Sequence, residues 1–237
     1  MNDIVSTEVL YISLVGGLGL LAGLSAPRQF RPQWLGVAIL LMVLNETLLN
    51  PGINPLPQIP GTHWNWTGKL SSFAGFLAIA ALPVFGWAKV GLTLRQKRGA
   101  LSAWIVFALL TAALFAAAFK FGGGRSGVET IAFEWSMPGM EEELFFRGVL
   151  LFALNAAFLG RIKILGASFG YGGLLVTLLF GMVHALMFKD GAISFDAITF
   201  LITGGPSLIL LWMREKTGSL LLPALAHNVS NGVFTLF

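Results

Sequence analysis

The sequence predicts an all-α, polytopic membrane protein with about eight transmembrane helices in one bundle. Of the 237 residues, 56% are hydrophobic and only 11% are charged. The apolar stretches repeatedly reach the roughly 20 residues that a helix needs to cross a bilayer. Soluble domains carry about a quarter charged residues. The composition therefore excludes an ordinary soluble domain.

The apolar stretches divide the chain into eight predicted spans, and the residues between them support the divisions. Pro27 and Pro32 flank the first turn, and segment 51–68 is a loop rich in Pro, Gly and Trp. Trp64 and Trp66 in that loop are well placed for the membrane–water interface. No linker or repeat separates the spans, so we expect a single membrane-embedded domain over 1–237. The predicted spans are 7–26, 33–50, 69–88, 101–119, 143–160, 171–188, 196–213 and 218–237.

The charge pattern and the cysteine count exclude several function classes. The chain has no cysteine, which excludes disulfides and thiolate chemistry. Its formal charge is +4, but the basic residues lie in short segments between predicted spans, where they set topology rather than bind nucleic acid. Their alternation, with Lys69 on the less basic side, predicts both termini outside the cytoplasm. Asp3 and Glu8 precede the first apolar stretch, which indicates a retained first span rather than a secretory signal.

A run of three glutamates stands where the fifth predicted span begins, in segment 139–154, GMEEELFFRGVLLFAL. A charged side chain at mid-bilayer costs about 2.5–3.5 kcal/mol on insertion scales, so such residues usually face the protein interior and have a function. Glu143 and Arg147 are four residues apart and share a helix face, so a structural ion pair explains them equally well. Glu46 in span two is a further intramembrane acid, near the site or paired with a basic residue.

Two of the three histidines also lie in apolar spans. His184 follows Phe180 by four residues, and His227 precedes Asn231 by four, so each pair shares a helix face. A lone histidine in such a helix is usually a packing residue. Together with the glutamates and an asparagine, however, the histidines form a set of catalytic residue types, which indicates an active site. His63 is expected to be an interfacial loop residue.

Taken in order, these residues resemble the three motifs of the CPBP (Abi) intramembrane proteases, which include the CAAX prenyl endopeptidases. The motifs are Glu-Glu-x-x-x-Arg, Phe-x-x-x-His and His-x-x-x-Asn. The resemblance covers about 140–231 and places the catalytic half at about 140–237. It rests on Glu142, Glu143, Arg147, Phe180, His184, His227 and Asn231.

The resemblance implies an endopeptidase with its active site inside the membrane, acting on a membrane-associated peptide or protein by CAAX-type or related processing. Glu142 would be the general base that activates water, assisted by His184. His227 and Asn231 would hold the oxyanion of the tetrahedral intermediate, where such donors typically contribute a few kcal/mol. The residues expected to brace the site are Glu143, Arg147 and Phe180.

The resemblance leaves the cofactor open, since the family has been described both as metalloproteases and as glutamate-dependent proteases. The preferred interpretation requires no cofactor. If Zn²⁺ is present, its ligands would be Glu142, His184 and His227, although the usual His-Glu-x-x-His pattern is lacking. The expected partners are a membrane-anchored peptide or protein substrate and the lipid bilayer. The expected location is a prokaryotic cell membrane, as a multi-pass protein.

Two other function classes stay open. One is a non-catalytic membrane partner that sequesters a peptide or protein, as in immunity. The other is a proton- or ion-coupled transporter that uses the Glu/His set as a relay. Transporters of that kind typically have discontinuous helices in paired halves, whereas here the polar residues cluster in the second half of the chain.

Overall fold

The computed structural model describes residues 3–237 and is mostly helical. A π-helix (Pro138–Leu150) precedes α6, and four short strands form two hairpins. The α-helices are α1 (Asp3–Ser25), α2 (Pro32–Leu49), α3 (Trp66–Ala81), α4 (Leu101–Phe121), α5 (Val128–Glu134), α6 (Leu151–Ala157), α7 (Tyr171–Ala185), α8 (Ala197–Thr217) and α9 (Leu221–Gly232). The strands are β1 (Ile162–Ile164), β2 (Ala167–Phe169), β3 (Leu186–Lys189) and β4 (Ala192–Phe195).

Each of the eight predicted spans contains a helix, but the structure does not confirm eight membrane crossings. Four helices, α1, α2, α4 and α8, are long and apolar enough to cross a membrane. The chain is therefore an integral membrane protein. Helices α3, α7 and α9 have 16, 15 and 12 residues, which is fewer than the roughly 20 that a span needs. Helix α5 lies in a segment that the sequence assigned to a loop.

The two hairpins depart from the all-α prediction. Strand β1 pairs antiparallel with β2, and β3 with β4. The predicted span 171–188 therefore ends earlier, at Ala185, because Leu186–Lys189 forms β3. Both turns have positive φ at their two central residues, as tight hairpin turns require. These residues are Leu165, Gly166, Asp190 and Gly191.

The described chain divides into two compact units, 3–46 with 150–212 and 47–149 with 213–237. The single-domain organisation stays a prediction. In the first unit the Tyr11 hydroxyl donates to the carbonyl of Leu186 at 2.6 Å. Phe30 stacks on Phe158 with ring centroids 5.4 Å apart. A Cβ at Gly19 would collide with Leu35, so this glycine lets α1 and α2 pack closely.

The second unit packs α3, α4, α5, the π-helix and α9. Phe76 of α3 and Phe145 of the π-helix are both fully buried, with ring centroids 4.7 Å apart. Only Ala103 and Ala118 of α4 are buried, while Leu109 and Phe119 are exposed. A helix whose outer face is this apolar is suited to lipid contact.

Arg214 anchors the irregular segment 82–100 of the second unit. Its Nε donates to the carbonyl of Arg147 at 3.0 Å, and its Nη2 donates to the carbonyl of Lys89 at 3.0 Å. Gly91 has a φ of +88°, and a Cβ there would collide with the Arg214 guanidinium. The guanidinium thus satisfies two backbone carbonyls, one of them in the π-helix.

Candidate active site

The three consecutive glutamates lie in the π-helix, which runs for 13 residues. The π-helix is rare and occurs frequently at functional sites. Glu141 and Glu143 are almost completely buried, with 1% and 0% exposure, and the side chain of Glu142 is 14% exposed. Buried acids require partners, and in this unit each glutamate has a different set of them.

Glu141 and Glu142 share Lys69 of α3. The Lys69 ammonium lies 2.7 Å from Glu141 Oε2 and 2.6 Å from Glu142 Oε1. The Ser72 hydroxyl donates to the other oxygen of Glu141, Oε1, at 2.6 Å. Glu141 is thus bonded at both of its oxygens by α3, and Lys69 bridges it to Glu142.

Glu143 pairs with Arg147, as the four-residue spacing predicts. Arg147 Nη1 donates to Glu143 Oε1 at 2.9 Å, and both side chains are fully buried. His227 Nδ1 lies 2.8 Å from the same oxygen. Because a carboxylate oxygen only accepts, Nδ1 is assigned the proton, and a neutral His227 then presents the lone pair of Nε2.

His227 Nε2 and Glu142 Oε2 lie 3.9 Å apart. This separation is too long for a direct hydrogen bond. It is short enough for one small group or water to contact both atoms at ordinary hydrogen-bond distances. The second unit therefore brings together Glu142, Glu143, Arg147 and His227 of the predicted site.

Asn231 lies on α9 one turn after His227 but is exposed. Its Nδ2 donates to Glu134 Oε2 of α5 at 3.1 Å. An amide nitrogen carries two hydrogens, so this bond uses one of them. The role of Asn231 at an oxyanion stays a prediction.

His184 and Phe180 lie on α7 in the first unit. His184 is exposed, and its Nδ1 is 2.7 Å from the carbonyl of Phe180, with the two rings 4.7 Å apart. The carbonyl only accepts, so Nδ1 is the donor. Glu46 lies in the same unit, where Asn45 Nδ2 donates to its Oε1 at 3.2 Å. These three residues belong to the first unit, whereas the glutamate cluster belongs to the second.

A cavity of about 440 Å³ lies in the second unit beside Glu143. Volumes of this order are typical of small-ligand sites. Glu143 Oε2 has no hydrogen-bond partner within residues 3–237. The other lining residues are nearly all apolar or glycine: Phe73, Trp87, Gly91, Leu92, Thr93, Leu94, Gly139, Met140, Leu144, Leu220, Leu221 and Ala224.

The zinc site with Glu142, His184 and His227 as ligands stays a prediction. Over residues 3–237, no three histidine, aspartate or glutamate side chains are arranged to hold a metal ion. One oxygen of Glu142 is already bonded to Lys69.

The sequence analysis missed four residues that hold the cluster. Lys69 was counted as a loop cation, although it lies three residues before Ser72 in an apolar segment, and this spacing places both on one helix face. Asn228 Oδ1 accepts the backbone N–H of Gly139 at 2.7 Å, which ties the start of the π-helix to α9. A Cβ at Gly139 would collide with Asn228 and with the carbonyl of Ala224. No sequence pattern predicts the hydrogen bond from Gly139 to Asn228 or the close packing of Gly139 on α9.

Outside the membrane spans, Glu129 of α5 organises the Trp-rich loop. Its Oε1 accepts the backbone N–H groups of Trp64 and His63, at 3.1 and 2.9 Å, and the Trp66 indole N–H at 3.2 Å. These donors, the Trp64 N–H foremost, hold the pKa of Glu129 below its usual value. Trp64 stacks on Phe133 with ring centroids 4.8 Å apart. His63 is exposed here, as expected for a loop residue.

The chain was compared with known protein families, curated proteins and solved structures. Residues 125–233 match the family model described as type II CAAX prenyl endopeptidase Rce1-like. The resemblance inferred from the three motifs is confirmed over this segment. No curated protein and no solved structure matches the chain.

Proposed function

We propose that the Rce1-like segment, residues 125–233, is the catalytic half of an intramembrane endopeptidase that cleaves membrane-associated peptides or proteins. The family match supports CAAX-type protease activity. The observation that carries the proposal is the 3.9 Å gap between Glu142 Oε2 and His227 Nε2, within a buried cluster. A water in that gap would be held by two acceptors, with its oxygen free to attack.

Glu142 acts as the general base. Its Oε2 takes a proton from the water as the water oxygen attacks the carbonyl carbon of the scissile peptide bond. The tetrahedral intermediate then collapses and the carbon–nitrogen bond breaks. The proton passes from Glu142 to the leaving amine, directly or through Nε2 of His227, and the hydroxyl proton of the new carboxyl group is released to solvent, so the products are a new carboxylate and a new amino terminus.

His227 has two successive roles in this proposal. Its Nδ1–H donates to Glu143, so neutral His227 accepts a hydrogen bond from the water through Nε2. Holding the oxyanion requires a proton on Nε2, which the ring carries as imidazolium while it relays the proton from Glu142 to the leaving amine. The second hydrogen of Asn231 Nδ2 is a further donor for the oxyanion, and His184 assists the base, as the resemblance implies.

We propose a glutamate-type mechanism that requires no cofactor. Lys69 binds Oε1 of Glu142, and Oε2 faces His227 Nε2. Each step described above uses side chains of the chain itself.

The substrate is proposed to be a peptide held at the membrane by an apolar group. The cavity beside Glu143 is lined almost entirely by apolar residues, and its volume of about 440 Å³ suits a lipid chain or several apolar side chains. Glu143 Oε2 would accept an N–H of the bound peptide. The family description favours a prenyl group as the apolar part. We place the protein, as a multi-pass enzyme, in a prokaryotic cell membrane.

The test compares peptide termini in membranes from cells that express the wild type or Glu142→Gln. Glu8→Gln makes the same chemical change in α1 and is the matched control. The proposal predicts new termini with the wild type and Glu8→Gln, and none with Glu142→Gln. If the wild type and Glu142→Gln give the same peptide termini while both proteins are folded and equally abundant, the catalytic proposal is wrong. The protein would then be a non-catalytic membrane partner.

A further inference from the structure

Lys69 contacts the proposed base directly, although no motif of the sequence includes it. Its ammonium lies 2.6 Å from Glu142 Oε1 and 2.7 Å from Glu141 Oε2. The Lys69 side chain is 14% exposed, and Glu141 is 1% exposed. Lys69 also lies outside the segment 125–233 that matches the family. The contact is therefore contributed by a part of this chain that the family match does not cover.

The position of Lys69 is itself fixed on both sides. Glu141 binds it through Oε2 and accepts from the fully buried Ser72 through Oε1. Ser72 lies one turn after Lys69 on α3. That helix begins at the Asn65 cap, whose side chain accepts the backbone N–H of Gly68 at 3.0 Å. The ammonium is thus held by a carboxylate that is bonded to the same helix.

Lys69 also balances the negative charge of the glutamate cluster. The cluster contains three carboxylates and two permanent cations, and Arg147 pairs with Glu143. Lys69 bonds to the other two acids of the cluster, Glu141 and Glu142. Adjacent buried carboxylates repel, and without a cation one of them would be protonated. An ammonium is a compact charge that reaches both acids, whereas a guanidinium is a rigid planar fork.

We propose that Lys69 is a positioning residue for Glu142: it holds Oε1 so that Oε2 faces His227 and the attacking water. Glu141 serves as the anchor of Lys69 rather than as a second base. This inference rests on the proposed function, since positioning has meaning only if Glu142 is the base. It extends the proposed site to α3 in the N-terminal half of the chain.

The first test measures kcat and KM of Lys69→Met on a cleaved peptide identified by the termini comparison. We expect kcat to fall about 100-fold, as when a reacting group is misplaced by about 1 Å, with KM near the wild-type value. Lys69→Arg keeps the charge but not the compact ammonium, so it is expected to recover only part of the lost kcat. Lys120→Met, at the end of α4, is the matched control and is expected to leave both constants unchanged.

The double variant Lys69→Met/Glu141→Gln separates positioning from charge balance, and it removes the excess buried charge that could prevent Lys69→Met from folding. If Lys69 positions Glu142, the double variant folds and its kcat stays low. If its kcat returns to the wild-type value, Lys69 only neutralises Glu141 and the inference is wrong. Wild-type kcat in Lys69→Met also overturns it.

Failure of the inference can be told apart from failure of the proposed function. If Glu142→Gln is inactive while Lys69→Met retains full activity, Glu142 remains the base and only the role of Lys69 is lost. If Glu142→Gln is as active as the wild type, the proposed function fails, and the inference fails with it.

Discussion

His227 Nδ1 and Arg147 Nη1 both donate to one oxygen of Glu143, Oε1, at 2.8 and 2.9 Å. A histidine whose Nδ1–H is held by a buried acid has its orientation and tautomer fixed, as in the serine protease triad. The neutral ring therefore presents an acceptor towards Glu142. The resemblance implies that His227 donates to the oxyanion. Because its Nδ1–H is bonded to Glu143, His227 can donate through Nε2 only when the ring is protonated at both nitrogens.

Glu143→Gln should destabilise the protein, because it removes the carboxylate charge to which the buried Arg147 guanidinium donates. Removing one partner of a buried ion pair costs about 3–5 kcal/mol. The free energy of unfolding in detergent measures this loss. The double variant Glu143→Gln/Arg147→Met removes both charges and should recover part of the stability. A Glu143→Gln protein as stable as the wild type would contradict the pairing.

Gly139→Ala should also destabilise the protein, because the new methyl group would meet Asn228 and the carbonyl of Ala224. Overpacking of this kind typically costs about 1–3 kcal/mol. Gly127→Ala is the matched control, since nothing lies within 4 Å of a Cβ at Gly127. Thermal unfolding compares the two. Equal melting temperatures for both variants would mean that the π-helix start is not closely packed on α9.

Acid should release the Trp-rich loop from α5. The Trp64 and His63 N–H groups hold the Glu129 pKa below the ordinary value of about 4.3. A carboxylate with a lowered folded-state pKa stabilises above its unfolded pKa, and the contribution disappears as pH falls through the folded pKa. Tryptophan fluorescence should therefore change with a midpoint below that value. Glu129→Gln should abolish this transition, and a transition unchanged in Glu129→Gln would contradict the assignment.

Ala224→Phe should fill part of the cavity beside Glu143. If the cavity holds the apolar part of the substrate, KM should rise about tenfold and kcat should stay unchanged. This rise corresponds to the loss of two buried methylene groups of the substrate, at about 0.8 kcal/mol each. Ala113→Phe, on an exposed face of α4, is the control. Unaltered KM in a folded Ala224→Phe protein would mean that the substrate binds elsewhere.

Helix positions could be predicted from hydropathy, because a long apolar stretch has few stable alternatives in a membrane. Hydropathy does not report how far each helix extends: α7 ends where Leu186–Lys189 pairs as a strand, and α9 has only 12 residues. The Lys-Asp-Gly sequence at 189–191 was a readable hairpin signal. The π-helix was not predictable, since its apolar pattern differs little from that of an α-helix.

The proposed site was predictable only where its partners lie close in sequence or share a recognised motif. The Glu143–Arg147 pair follows from helical spacing, and the motif resemblance selected His227. The bridge from Lys69 to the glutamates joins residues about 70 positions apart. Its position at the start of a predicted span made Lys69 look like a loop cation, because spacing carries no information about contacts between helices.

The most direct test of whether Glu142 activates water is to follow the incorporation of solvent oxygen into the products. Membranes with the wild type or Glu142→Gln would be incubated in H₂¹⁸O, and the new carboxyl termini analysed by mass spectrometry. The account predicts one ¹⁸O atom in each new carboxyl terminus with the wild type and no such termini with Glu142→Gln. Termini that appear equally fast with Glu142→Gln, or that lack ¹⁸O with the wild type, would contradict it.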